Sequence, residues 1–148
     1  MFDNVTISND VKIGDIHEFF DQNIPDKHPE YFWDSRLSNK SVFMAYDNQT
    51  PCGFLVINLI WGNTPFIELL KIKDDHQKIG IGKKLLGEAT HIVKGWGFEQ
   101  IVSSSESSNK DGITFHEKCG FTKLNSLDLP HGEEQFFIMN IKDFKDHA

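Results

Sequence analysis

The sequence predicts an α/β fold of the α+β kind, and three observations carry the prediction. Seven strand-like and four helix-like runs follow one another as strand, helix, helix, three strands, helix, strand, helix, two strands. A glycine-bearing turn, Gln77-Lys78-Ile79-Gly80-Ile81-Gly82-Lys83-Lys84, joins a strand-like run to a helix-like run. Turn-forming residues separate the three central strands, as hairpins require.

Each element has its own warrant. Asn4 to Ser8 alternates and reads as a short strand. Asn9-Asp10 can cap a helix over Val11 to Asp21, with Ile13, Ile16, Phe19 and Phe20 on one side. Ile24 to Pro29 breaks that helix, and Glu30 to Leu37 forms a second one carrying Tyr31, Phe32 and Trp33. Ser41 to Tyr46 is a strand, Asp47 to Pro51 a hairpin turn, and Cys52 to Trp61 an apolar strand. Gly62 to Pro65 turns the chain into Phe66 to Ile72. The helix Ile81 to Trp96 places Ile81, Leu85, Ala89, Ile92 and Trp96 at helical spacing and ends at Gly95 and Gly97. Gln100 to Ser105 is a strand and Gly112 to Cys119 a short helix. Phe121 to Leu124 and Gln135 to Ile141 complete the sheet as an antiparallel pair.

The turn at 77–84 is where chemistry enters. A glycine-rich turn at a helix N-terminus points backbone N–H groups at an anion. Gly80 and Gly82 have no Cβ to block a phosphate, and Lys78, Lys83 and Lys84 add positive charge. The nucleotide-triphosphate loop does not fit: Gln77, not Gly, stands where its first glycine belongs, and Lys84 stands in the Ser/Thr place. The dinucleotide fingerprint does not fit either, because Leu85 occupies its third glycine position.

Gln77-x-x-Gly80-x-Gly82 after a strand resembles the acetyl-coenzyme A loop of the GNAT superfamily of N-acetyltransferases. A second segment, Asn109 to Phe121 with its ending Glu117-Lys118-Cys119-Gly120-Phe121, is similar to the C-terminal signature of the same superfamily. The resemblance is clear from about Pro65 to Phe121. It implies a mixed, mostly antiparallel sheet with helices on both faces. It also implies a parallel strand pair that splays to admit the pantetheine arm, so a bulge or pairing break is expected near Leu70-Lys71.

The resemblance further implies acetyl-coenzyme A as donor and coenzyme contacts along 77–84. It places main-chain N–H groups of Leu70, Lys71 and Ile72 at the oxyanion. Asn109 is expected on the pantetheine arm, with Phe115 and Lys118 as further coenzyme contacts. His116 stands where family members often carry a Tyr acid for the departing thiolate, and a His can donate the same proton. Glu68 is the candidate base: it interrupts an apolar strand, two residues before Leu70, and a carboxylate there suits proton uptake.

The expected reaction moves acetyl to a primary amine of a small molecule by direct attack. An aromatic and acidic lining drawn from His28, Glu30, Tyr31, Phe32, Trp33 and Asp34, with His131, Glu133 and Glu134 opposite, suits a cationic amine. Two other readings stay open: a non-catalytic acyl-coenzyme A-binding module, and an acetyltransferase acting on a protein amine. The family admits a homodimer, which no residue here specifies.

Composition bounds the remainder. The 148 residues suffice for one domain, 1–148, and 39% apolar with 25% charged residues is ordinary for a globular chain. A net charge of −7 argues against nucleic acid as a partner, and with a lone arginine, Arg36, phosphate contacts fall to Lys and backbone. Cys52 and Cys119 lack metal or redox spacing, and the seven His are scattered, so no metal is expected. Met1-Phe2-Asp3-Asn4 lacks signal-peptide character and no run is long enough to span a bilayer, so no membrane partner and a cytoplasmic location are expected.

Overall fold

A computed structural model describes residues 4–21 and 26–145. The elements are β1 (Val5–Ser8), α1 (Ile13–Phe19), α2 (Glu30–Ser38), β2 (Val42–Asp47), β3 (Thr50–Ile60), β4 (Thr64–Ile72), α3 (Ile81–Gly95), β5 (Gln100–Glu106), α4 (Lys110–Cys119), β6 (Thr122–Leu129) and β7 (Gly132–Asn140). Their order is the predicted one. The strands form a mixed sheet in the order β1-β2-β3-β4-β5-β7-β6. The β4–β5 pair is parallel, while β1–β2, β2–β3, β5–β7 and β6–β7 are antiparallel.

The chain divides into two compact units, Met1–Ile57 with Leu69–Leu86 and Asn58–Glu68 with Gly87–Ala148. They are called units one and two below. β4 is continuous, and its registered pair with β5 is Phe66↔Val102, within unit two. The unit boundary in β4 falls between Glu68 and Leu69, just before the pairing break expected at Leu70-Lys71.

Unit one is built on aromatic packing. Ile16, Phe19, Trp33, Val42, Met44, Phe54 and Val56 are buried in one cluster. Phe54 meets Phe19 and Trp33 edge-on, at centroid separations of 4.9 and 5.6 Å. Such edge-to-face pairs add to area burial, and truncating a buried Trp to Ala costs about 3–5 kcal/mol. In the β2–β3 hairpin, Asp47 pairs with Thr50 across a two-residue turn. Asn48 and Gln49 have φ of 50° and 72°, the left-handed pair of a type I′ turn.

Unit two centres on β5 and β7. Ile101, Cys119, Phe121, Phe137 and Met139 are buried there. Gly97 ends α3 with φ 92°, as the Phe98 N–H reaches back to the Val93 carbonyl at 3.2 Å.

The main boundary differences from the sequence reading fall in the first helix and the last two strands. The first helix spans Ile13–Phe19, not Val11 to Asp21, because Asp10 does not cap it. Its carboxylate instead meets Lys12 at 3.2 Å and Lys40 at 2.9 Å. Asp15 takes the helix-starting role, accepting from the Lys12 N–H at 3.0 Å. The last two strands are longer than Phe121 to Leu124 and Gln135 to Ile141. Nearly all of β6 is exposed at the sheet edge, so it carries polar residues that hide the strand pattern. The buried stripe of α3 passes through Leu85, Leu86, Ala89 and Val93, whereas Trp96 is exposed. Within the expected Ile24 to Pro29 breaker, Ile24 and Pro25 lie outside the described residues, as do Met1-Phe2-Asp3.

Candidate active site

Unit one carries the end of β4 and the loop at 77–84. Two contacts hold β4's end in place. The Lys73 N–H donates to the Cys52 carbonyl at 2.9 Å, and Gly53 makes room for Ile72. A Cβ on Gly53 would stand 2.7 Å from Ile72 Cδ1 and 3.3 Å from the Lys71 carbonyl oxygen. Lys71 and Ile72 are therefore positioned by a glycine on another strand, a role that strand periodicity does not reveal.

The loop itself is braced by side chains. The Gln77 amide donates to the Ile72 carbonyl at 3.1 Å and to Asp74 Oδ1 at 3.2 Å. Lys78 and Gly80 have φ of 63° and 96°, and the Lys84 N–H closes the first helical turn on the Gly80 carbonyl at 3.1 Å. Space around Gly80 is open, and Lys78, Ile79 and Gly80 are exposed, whereas Ile81 is buried and anchors the helix start. Amides at the start of a helix lack intrahelical acceptors, and the first turn of α3 holds no acidic residue. With Gly82, Lys83 and Lys84 following, this is a helix N-terminus open to an anion.

His76 pins the loop to the β2–β3 hairpin. Its Nε2 lies 2.9 Å from Asp47 and its Nδ1 2.7 Å from Asp75. Carboxylates only accept, so both ring nitrogens donate and the imidazole is cationic. The Asp47 bond is the main cause that raises its pKa above the ordinary value. Asp47 and His76 are far apart in sequence, so no local motif announced the pair.

Unit two holds the other expected site residues. Glu68 is half-buried and accepts from the Asn58 amide at 2.6 Å. Asn109 caps α4, accepting from the Gly112 N–H at 3.0 Å. Phe115 is half-buried and Lys118 exposed.

His116 is buried, with its ring stacked on Phe137 at 4.3 Å. Its Nδ1 lies 2.7 Å from the Gly112 carbonyl, which fixes the proton on Nδ1. Its Nε2 then accepts from the Ser103 hydroxyl at 2.8 Å. Burial is the main cause that lowers its pKa, favouring the neutral ring. Ser103 and Ser104 belong to a serine-rich run that singles out neither, yet alternation sends them to opposite faces of β5. Ser104 donates to Glu134 Oε2 at 2.7 Å.

The aromatic residues expected around an acceptor have other work in unit one. Trp33 is core and donates from Nε1 to Asp26. Phe32 stacks on His28 at 4.7 Å and carries the Arg36 guanidinium 3.7 Å above its ring. Tyr31 is exposed. His131, Glu133 and Glu134 belong to unit two.

Neither cysteine is in a disulfide and both are buried, and burial pushes the Cys52 thiol up to about 11. Among the described residues, no group of three His, Cys, Asp or Glu could hold a metal ion. No helix among them is long and apolar enough to cross a membrane.

Comparison with known proteins adds the lineage. The family model described as Acetyltransferase (GNAT) family matches residues 13–121. N-alpha-acetyltransferase 30 of Schizosaccharomyces pombe is 28% identical over 89 residues, 57% of this chain and 59% of that protein. The chain thus matches less than two thirds of that relative's length. The structure of the NatC complex bound to Gag peptide and CoA superposes with a TM-score of 0.76 at 18% identity, over 93% of this chain and 98% of that one. Nourseothricin acetyltransferase superposes with a TM-score of 0.63 at 21% identity, over 68% of this chain and 64% of that one. At these identities the two superpositions establish a shared fold.

Proposed function

Because the chain belongs to the acetyltransferase (GNAT) family, we propose that it moves the acetyl group of acetyl-coenzyme A onto a primary amine of a small molecule. The observation that carries this reading is the loop at 77–84. It joins Gly80 at φ 96°, a helix start without acidic residues, and three lysines. Those features suit the diphosphate of a coenzyme.

Glu68 takes a proton from the acceptor ammonium, whose reference pKa of about 10.4 otherwise keeps it charged at neutral pH. The freed nitrogen attacks the thioester carbon. An N–C bond forms and the carbonyl electron pair moves to oxygen, where a main-chain N–H of Leu70, Lys71 or Ile72 donates to it. Collapse breaks the C–S bond. The nitrogen sheds its second proton, the thiolate gains one from solvent, and Glu68 returns its own to solvent.

His116 positions α4 and does not serve as the acid. Its one proton is committed to the Gly112 carbonyl, and its free lone pair already accepts from Ser103. It ties α4 to β5 and so places Asn109, Phe115 and Lys118.

A second reading is acetylation of a protein N-terminus. The likeness to N-alpha-acetyltransferase 30 of Schizosaccharomyces pombe and to the peptide-bound NatC complex favours it.

Release of free thiol in the presence of acetyl-coenzyme A and a panel of amines and peptides tests the proposal. Thiol release that depends on a small amine supports it, and release with peptides alone supports the second reading. Tight coenzyme binding without turnover on any acceptor would replace both with a sensing module.

A further inference from the structure

The sheet face that carries Glu68 continues across β5, β7 and β6 within unit two. Residues two apart on a strand, or directly opposite on neighbouring strands, share a face. Glu68 follows Phe66 by two, and the Phe66 ring stacks on Phe136 at 6.3 Å. Ser104 registers with Phe136, and Leu127 with Glu134. Glu68, Ser104, Glu134, Phe136 and Leu127 therefore stand on one face.

This face sets an apolar patch beside a carboxylate. An open pocket of about 600 Å³ is lined by Lys123, Leu124, Asn125, Leu127 and Phe136. Leu124 and Leu127 are 45% and 52% exposed and so add apolar surface beside Phe136. Directly across from Leu127, the Glu134 carboxylate is fixed from two sides. Oε2 accepts from Ser104 at 2.7 Å, and Oε1 lies 2.9 Å from His131 Nε2. Only 12% of the Glu134 side chain is exposed, so its orientation is set by these partners.

We infer that this face binds the acceptor, and that the acceptor is a primary amine with one apolar substituent. The inference rests on the acetyl-transfer reading above. The ammonium meets the Glu134 carboxylate, while the apolar body lies on Phe136 between Leu124 and Leu127. Glu134 and Phe136 are two residues apart, about 7 Å along the strand. That spacing suits a nitrogen separated from a phenyl- or leucyl-sized group by two or three bonds. A second ammonium laid on Leu124, Leu127 and Phe136 would be desolvated there, so polyamines are disfavoured. The same chemistry occurs in a free arylalkylamine and at a peptide N-terminus with an apolar first residue.

The test is calorimetry on the full chain, with and without coenzyme A. The probes are 2-phenylethylamine, spermidine and two peptides that begin with Leu or Ser. Phenylethylamine or the Leu peptide should bind about tenfold or more tightly than spermidine and the Ser peptide, as burial of an apolar side chain predicts. The tighter of these two names the source. Leu127→Asn, on the exposed edge, should weaken that probe about tenfold and leave coenzyme affinity unchanged. Leu124→Asn should act in the same direction. Glu134→Gln should raise KM for the preferred amine more than it lowers kcat. A preference for spermidine, or an unchanged affinity in both leucine variants, would overturn the inference while leaving acetyl transfer in place. Failure to bind coenzyme would overturn acetyl transfer, whereas the donor-free titrations would still decide the amine site.

Discussion

His76→Gln is the substitution that most directly probes how the loop at 77–84 is held. In the native protein a cationic imidazole bridges Asp47 and Asp75, at 2.9 and 2.7 Å. The Asp75 side chain is 79% exposed, so its share is screened and is set aside. The Asp47 bond is the protected one, with the two side chains 15% and 24% exposed. A hydrogen bond between charged groups contributes about 1.5–3 kcal/mol, and partial solvent screening brings this one to about 1 kcal/mol. For a chain of this size that corresponds to roughly 2–4 °C in melting temperature. The pKa of His76 is raised in the folded state, with the Asp47 bond as the leading cause. Its stabilisation is therefore complete below the ordinary histidine value of about 6.5 and is lost as pH rises through the raised value. Melting curves of wild type and variant at pH 6 and pH 9 should differ by those few degrees at the lower pH and converge at the higher. The comparison cancels other titrating groups common to both chains. Equal melting temperatures at pH 6, or a gap that persists at pH 9, would refute the cationic bridge.

Other outcomes follow from the same geometry. Gly82→Trp should abolish coenzyme binding in a titration while circular dichroism reports an intact fold; retained affinity would move the coenzyme elsewhere. Glu68→Gln should lower kcat by about 10²–10⁴ with a much smaller change in KM, the range for loss of a general base. Wild-type turnover in that variant would remove Glu68 from the chemistry. His116→Phe leaves the Ser103 hydroxyl without its acceptor in a buried setting and should cost about 1–3 kcal/mol in denaturant unfolding. Its pH–rate profile should keep the wild-type shape, and loss of one limb would restore the acid role to His116.

The order of elements was legible because it is written in local patterns. Turn residues bracket each central strand, and the apolar spacing from Ile81 to Ala89 marks α3. The anion-binding loop was legible for the same reason: Gly80 and Gly82 are two positions apart and adjoin a helix start. What was hidden depends on residues distant in sequence. The start of α1 is set by Lys40, which draws Asp10 away from the cap. Gly53 matters because Ile72 from the next strand lies against it. The neutrality of His116 comes from Ser103 on β5 and Phe137 on β7, as well as from its own helix. Trp33 and Phe32 looked like ligand-binding aromatics, and only packing shows that their faces are already occupied.

The protection of the two cysteines has a practical side. Disulfide-based colorimetric reagents react with thiolates, and a sulfur shielded from solvent with its proton held up to about 11 offers few of them. Cys119 is equally enclosed by surrounding side chains. A native sample should therefore give almost no background colour, so absorbance accumulating after substrate addition reports the leaving group of the reaction and not the catalyst.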